Sequence, residues 1–168
     1  SCYDEGKRIA ETLCLDFNKK YNLNIRIARI FNTYGPRMAK DDGRVISNFI
    51  VQALNGNAIS IYGDGTQTRS FCYIDDIVRG IISLMNSNYQ KPINLGHYRE
   101  YQIIELAEKI KQKINSELIL KNESLPEADP LRRKPCINLA KKILDWEPKI
   151  TLNEGLDKTI EFFRNNLY

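Results

Sequence analysis

Apolar residues near the amino end fall at Ile9, Ala10, Leu13, Cys14 and Phe17. That three-and-four spacing predicts a helix over 3–20 with one apolar face, stopped by Asn22. Residues 25–31 (Ile-Arg-Ile-Ala-Arg-Ile-Phe) alternate with period two and are rich in β-branched side chains, which predicts a strand. Asn32 to Arg37, punctuated by Gly35-Pro36, then reads as a loop at that strand's carboxyl end. A second helix is expected over 45–54, closed by Asn55-Gly56-Asn57. Strands are expected over 59–62 and 69–74, separated by a glycine-rich turn at 63–67. Asp75 or Asp76 is expected to cap a helix over 77–85, and 92–95 reads as a strand. Farther on, Ile103, Leu106, Ala107, Ile110 and Ile114 mark an amphipathic helix, and 117–121 reads as a strand. Helices over 138–146 and 152–167 complete the pattern, the last turning Leu156, Ile160, Phe163 and Leu167 inward.

Alternating helices and strands predict an α/β architecture. No internal repeat and no low-complexity linker interrupts it. The fingerprint G-x-G-x-x-G is absent, because Gly63 and Gly65 supply only G-x-G, between two strands rather than between a strand and a helix.

Composition narrows the function classes. A chain of 168 residues with 42% hydrophobic and 27% charged residues can build one ordinary globular core, which excludes a disordered segment. No apolar run reaches the length of about 20 residues that crosses a bilayer. The net charge of +4 comes from basic residues dispersed along the chain, so no nucleic-acid partner is expected. Cys2, Cys14, Cys72 and Cys136 form no CxxC pair, which argues against zinc and redox motifs and fits reduced thiols in a cytoplasmic setting. His97, the single histidine, reads as structural, and no metal site is expected.

Three groups of residues can carry chemistry. Tyr3 and Lys7 lie four apart, so on a helix the ammonium stands beside the phenol. A phenol is a poor base at neutral pH until fixed positive charge favours the phenolate. The same spacing also occurs on solvated helix surfaces. The loop from Asn32 to Arg37 offers an amide, a hydroxyl and backbone groups, or is an ordinary turn. Arg44, Arg69 and the run Arg132-Arg133-Lys134 offer guanidinium forks that match phosphate oxygens, if they converge.

Tyr3-xxx-Lys7 resembles the YxxxK pair of the short-chain dehydrogenase/reductase superfamily. The strings Ala28-Arg29-Ile30-Phe31-Asn32-Thr33-Tyr34-Gly35-Pro36-Arg37-Met38, Asp42-Gly43-Arg44-Val45-Ile46-Ser47-Asn48-Phe49 and Ile61-Tyr62-Gly63-Asp64-Gly65-Thr66-Gln67-Thr68-Arg69-Ser70-Phe71 resemble its extended branch, which acts on nucleotide sugars. Together with Arg133-Lys134-Pro135 and Trp146-Glu147-Pro148, they are most similar to the UDP-glucuronate decarboxylase (UDP-xylose synthase) family. The likeness runs in order through essentially the whole chain.

That resemblance implies the carboxyl-terminal part of a Rossmann-type doubly wound sheet plus a smaller, mostly helical nucleotide-sugar-binding region. Residues 1–35 would close an NAD-binding domain whose remainder lies upstream. Residues 36–168 would form the substrate-binding region, with 75–100 returning to the main sheet. By the same resemblance Tyr3 and Lys7 are the catalytic pair, and both touch NAD together with Thr33 and Arg44. Asn32, Arg44, Tyr62, Arg69 and Arg133 would bind the UDP-sugar. The implied reaction removes carbon dioxide from UDP-glucuronate through a 4-keto sugar, giving UDP-xylose and recycling NAD. A homodimer through a four-helix contact is implied as well, and a Golgi-lumen location replaces the cytoplasmic one if an anchor precedes this segment. Sibling readings are a nucleotide-sugar 4,6-dehydratase, a 4-epimerase, or a non-catalytic nucleotide-sugar-binding or dimerising fragment, and the segment alone is expected to be inactive. Two positions depart from the family's usual pattern: Cys136 follows Pro135 in place of Asp, and His97 follows Gly96 in place of Asn.

Overall fold

The computed structural model describes residues 2–124 and 132–167. The chain opens with α1 (Cys2–Tyr21), whose Asp4 and Glu5 in the first turn and Lys19 and Lys20 in the last complement the helix dipole. Asn22 ends it in the left-handed region at φ 50°. Then come β1 (Ala28–Ile30), β2 (Thr33–Tyr34), α2 (Val45–Leu54), β3 (Ile59–Tyr62), β4 (Thr68–Arg69), β5 (Cys72–Tyr73), α3 (Ile74–Met85) and β6 (Ile93–Leu95). The remainder is β7 (Tyr101–Gln102), α4 (Ile103–Ile114), β8 (Leu120–Glu123), β9 (Arg132–Arg133), α5 (Asn138–Leu144) and α6 (Leu152–Asn166). This mixed α/β order, dominated by parallel strand pairs, is the expected Rossmann-type class.

Three parallel pairs carry the sheet structure: β1 with β6, β2 with β5, and β3 with β8. A further sheet places β4 between antiparallel β7 and parallel β9. Several expected elements differ from what forms. The strand expected over 25–31 shrinks to three residues, flanked by backbone bonds from the Ile93 N–H to the Ile27 carbonyl and from the Phe31 N–H to the Leu95 carbonyl. The loop after it contains a real strand, with Thr33 opposite Cys72 and Tyr34 opposite Tyr73. The single strand expected over 69–74 is divided into β4 and β5, which belong to different sheets. The strand expected over 117–121 forms later, as β8. Two-residue strands are stabilised by their partners rather than by local pattern, so β7 and β9 leave no periodic trace.

The main core lies among α2, α4, α6 and β3, where Ile50, Ile59, Ile61, Leu106, Ile110 and Leu156 are completely enclosed. The inward residues expected of α6 are all buried. Thr151 caps that helix by accepting from the Glu154 N–H at 3.3 Å. A Cβ on Gly155 would stand 2.1 Å from the Tyr34 hydroxyl oxygen, so only glycine lets α6 pack there. The Tyr34 hydroxyl donates to the Leu152 carbonyl, and burial pushes this phenol far above its ordinary range.

A second core joins α3, β6 and α5 through Cys72, Ile77, Leu84, Leu95 and Trp146. Asp76 organises its edge. The expectation that Asp75 or Asp76 caps α3 is corrected here: the helix starts at Ile74, and both carboxylates lie in its first turn. Buried Asp76 instead accepts from the Lys149 and Ile150 N–H groups, each at 2.9 Å, and pairs with Arg79. Its carbonyl takes the Trp146 indole N–H at 2.8 Å. This ties the segment leading into α6 to the start of α3.

The apolar face expected of α1 is not buried. Ile9, Leu13 and Phe17 are more than half exposed, and no residue of α1 is buried among the described residues.

Candidate functional site

Tyr3 and Lys7 stand on one face of α1, with the Lys7 Nζ 5.4 Å from the centre of the Tyr3 ring. One turn farther along the same stripe is Glu11, which accepts from Arg29 Nε and Nη2 of β1, both at 2.6 Å. That bidentate pair holds the Glu11 carboxyl below its usual range and fixes the helix against the strand. At the other end of α1, Asn18 donates to Gln90, three residues before β6 begins. The last turns of α1 therefore sit at the amino ends of β1 and β6, and its first turns point toward their carboxyl ends. Tyr3 lies about 12 Å of helix rise beyond Glu11 in that direction. Ligands of open α/β sheets sit in the crevice outside those strand ends.

The loops at those carboxyl ends meet one another. Phe31 donates its N–H to the Leu95 carbonyl at 3.0 Å, and Asn32 accepts from the Cys72 N–H at 2.9 Å. The Thr33 hydroxyl donates to the Phe31 carbonyl at 2.8 Å, leaving its own oxygen free to accept. At Gly96 a Cβ would come within 2.9 Å of both Phe31 and Pro135. Glycine thus lets the segment after β6, the end of β1 and the Arg133-Lys134-Pro135 run close on one another. Beside Pro135 is an open pocket of about 420 Å³ lined in part by Tyr98, Lys134, Cys136 and Lys141. Cys136 is exposed and its carbonyl accepts from the Asn94 amide, while His97 Nδ1 accepts from the Arg99 N–H. Burial holds His97 below its ordinary value, so its neutral form prevails.

The arginines separate into two groups. Arg69 in β4 and Arg133 in β9 are direct register partners on adjacent parallel strands, about 4.8 Å apart along the sheet. Arg69 is largely buried, with Nη1 donating to the Thr68 carbonyl, whereas Arg133 is exposed. Arg132 is engaged elsewhere, in a bidentate pair with Glu100 at 2.8 and 2.6 Å. Arg44 stands at the N-cap of α2, mostly exposed, with Nε 3.7 Å from Asp42. Tyr62 ends β3, half exposed, before a turn held by Gln67 donating to the Tyr62 carbonyl and Asn122 donating to the Gly63 carbonyl, both at 2.8 Å. The structure thus brings together Tyr3 with Lys7, and Arg69 with Arg133. Arg44, at the end of the loop leading into α2, and Tyr62, at the start of the turn after β3, lie on separate loops.

Sequence reasoning passed over Glu11 and Glu100. Glu11 was legible as the next member of the Tyr3–Lys7 stripe. Glu100 left no local signal, because its partner Arg132 lies 32 residues away. No group of His, Cys, Asp and Glu side chains among the described residues is placed to hold a metal ion, and no described helix is long and apolar enough to cross a membrane.

The Tyr3–Lys7 pair stands toward the carboxyl ends of the parallel strands β1 and β6, and Arg69 and Arg133 are partners in another sheet of this Rossmann-type fold. The chain belongs to the NAD dependent epimerase/dehydratase family, whose model matches residues 1–96. It is 54% identical over 99% of its length to UDP-glucuronic acid decarboxylase 3 of Arabidopsis thaliana, covering 49% of that protein. With UDP-glucuronic acid decarboxylase 1 of Xenopus tropicalis it shares 52% identity over 99% of the chain and 40% of the relative. The chain therefore spans half or less of the length of these curated relatives. Among solved structures it is similar to the UDP-glucose 4-epimerase of Thermotoga maritima with UDP-glucose, at a TM-score of 0.92 and 29% identity, over 96% of this chain and 53% of that one. The UDP-glucuronic acid 4-epimerase of Bacillus cereus in complex with UDP-glucuronic acid and NAD matches at a TM-score of 0.85 and 28% identity, over 94% of this chain and 50% of that one.

Proposed function

We propose that this chain supplies the proton-transfer pair and the diphosphate-gripping arginines of an NAD-dependent decarboxylase that converts UDP-glucuronate to UDP-xylose. Identity of 54% and 52% with two UDP-glucuronic acid decarboxylases, against 28–29% with the solved epimerases, carries this reading over a sugar 4-epimerase. The activity is that of a polypeptide holding this chain together with the portion of its relatives that the chain does not span.

The donor set fits one end of the cofactor. The Tyr3 phenol and Lys7 ammonium stand together in solvent, and the Thr33 oxygen can accept, which suits a ribose and its nicotinamide. No G-x-G-x-x-G is present, so these residues suit that end and not the dinucleotide's phosphates. Bound there, NAD would supply a reversible hydride acceptor for the sugar's C4.

Tyr3 Oη takes the proton of the sugar 4-hydroxyl, and Lys7 supplies the fixed positive charge that stabilises the phenolate. A ketone at C4 is β to the C5 carboxylate. Carbon dioxide then leaves because the electrons left at C5 delocalise into the carbonyl; a proton added at C5 gives the 4-keto pentose, and return of the hydride to C4 with the Tyr3 proton to its oxygen would complete the UDP-xylose. Arg69 and Arg133 hold the diphosphate through charge-assisted hydrogen bonds, with Arg44 and Asn32 nearer the sugar and Tyr62 against the uracil. The exposed apolar face of α1 suits a helix-to-helix contact between two copies. Four free thiols suit a reducing compartment such as the cytoplasm.

The test is incubation of that longer polypeptide with NAD and UDP-glucuronate. Release of carbon dioxide with formation of a UDP-pentose is expected. A C4-epimerised UDP-uronate without carbon dioxide would overturn the decarboxylase reading in favour of an epimerase.

A further inference from the structure

Glu100 lies just before β7 and reaches across the central strand β4 to the far edge strand β9. Its carboxylate accepts from the Thr68 hydroxyl of β4 at 2.9 Å and from Arg132 Nε and Nη2 of β9 at 2.8 and 2.6 Å. Lys134 Nζ stands 3.6 Å away. Together these cations, Arg132 foremost, hold the Glu100 carboxyl down to about 2, so it is charged throughout the working pH range.

Alternation along a strand gives this clamp its meaning. Thr68 and Arg132 are register partners and share one face of the sheet; Arg69 and Arg133 are the next partners and share the other. A slip of one residue in the two-residue strand β9 would exchange the faces of Arg132 and Arg133. Adjacent identical side chains make such a slip nearly silent to local propensity, and two backbone-paired positions resist it only weakly. A carboxylate that grips Arg132 on the Thr68 face opposes the exchange.

We infer that Glu100 is a positioning residue for nucleotide-sugar binding, locking the register of β9 so that Arg133 stands beside Arg69 on the diphosphate-binding face. The inference rests on the reading that these two arginines grip the UDP diphosphate. Glu100 touches neither substrate nor cofactor and acts through Arg132 and the strand that carries it.

The experiment measures UDP affinity by calorimetry, and kcat and KM for UDP-glucuronate, in the polypeptide that contains this chain at the length of its relatives. Glu100→Gln, Arg132→Met and the double variant are compared with the unmodified protein. Each single variant is expected to weaken UDP binding and raise KM about tenfold, with kcat at saturation within about twofold. The double variant is expected to be no worse than either single one, because both remove the same clamp. Thermal unfolding of the three separates this from general damage, which would lower Tm and kcat together. Unchanged UDP affinity in Glu100→Gln, or strictly additive losses in the double variant, would overturn the register lock. Absence of UDP binding by the unmodified protein would instead overturn the site reading, and the inference with it.

Discussion

α1 and α6 are both amphipathic by pattern, yet they meet opposite fates. α6 buries Leu152, Gly155, Leu156, Thr159, Ile160 and Phe163 against α2, α4 and Tyr34. α1 buries nothing, and it is joined to the rest through polar ties, Glu11 with Arg29 and Asn18 with Gln90. The α6 face completes a core within this chain, whereas the α1 face is apolar surface with no partner among the described residues. Helix periodicity states which face wants company; it does not state whose company that is. The proposed chemistry sits on the helix that contributes least to this chain's core, as low-stability elements often carry function.

The largest effect that tests this contrast is on catalysis. Tyr3→Phe removes one hydroxyl from an exposed side chain and is expected to reduce turnover of the longer polypeptide by about 10²–10⁴-fold. UDP affinity and Tm should hardly move. Retained turnover would strip α1 of its role and leave it merely a surface helix.

Next in size is a core truncation on the other helix. Leu156 is fully enclosed, and Leu156→Ala should cost about 2–5 kcal/mol in urea unfolding. A smaller loss would show that α6 packs loosely enough to close the gap. Asp76→Asn comes third, at about 1–3 kcal/mol, because the buried acceptor loses its charge facing Arg79 and two backbone N–H groups. Chemical denaturation of that variant, with and without the Arg79→Met change, reveals whether the ion pair or the backbone bonds dominate.

A pH measurement sharpens the same division. Burial, then the charge of Asp76, pushes the Cys72 thiol up to about 12, against about 8.5 for an unfolded thiol. The folded chain thus keeps a proton that the unfolded chain releases. This contribution is complete below about pH 8.5 and is lost as pH rises toward the folded value. Cys72→Ala should flatten the alkaline limb of the stability profile, and an unchanged limb would place the titration elsewhere. The smallest expected effect belongs to α1: Leu13→Ala at a half-exposed position should fall within about 0.5 kcal/mol in this chain. A loss comparable to that of Leu156→Ala would mean the α1 face is covered after all.

Long periodic segments were legible before any coordinates. The helices near 45–54, 103–114 and 152–166 formed where spacing predicted them, because each has enough apolar positions to dictate a face. The site was legible unevenly. Tyr3 and Lys7 share a face by helical geometry alone, whereas the pairing of Arg69 with Arg133 depends on strands of two residues each. Asp75 or Asp76 reads as a cap because an acidic residue before an apolar run has that signature, yet both lie inside the first turn, and the bonds of Asp76 to Lys149 and Ile150 span more than 70 residues.

The order of residues by itself determined the α/β class, the stretches that become helices, and the tyrosine–lysine adjacency, since these follow from interactions within one or two turns. Tertiary structure alone decided which apolar faces are buried, which arginine faces Arg69 and which is held by Glu100. Those outcomes depend on partners brought together by chain reversal and strand register, which act over distances that no local pattern encodes.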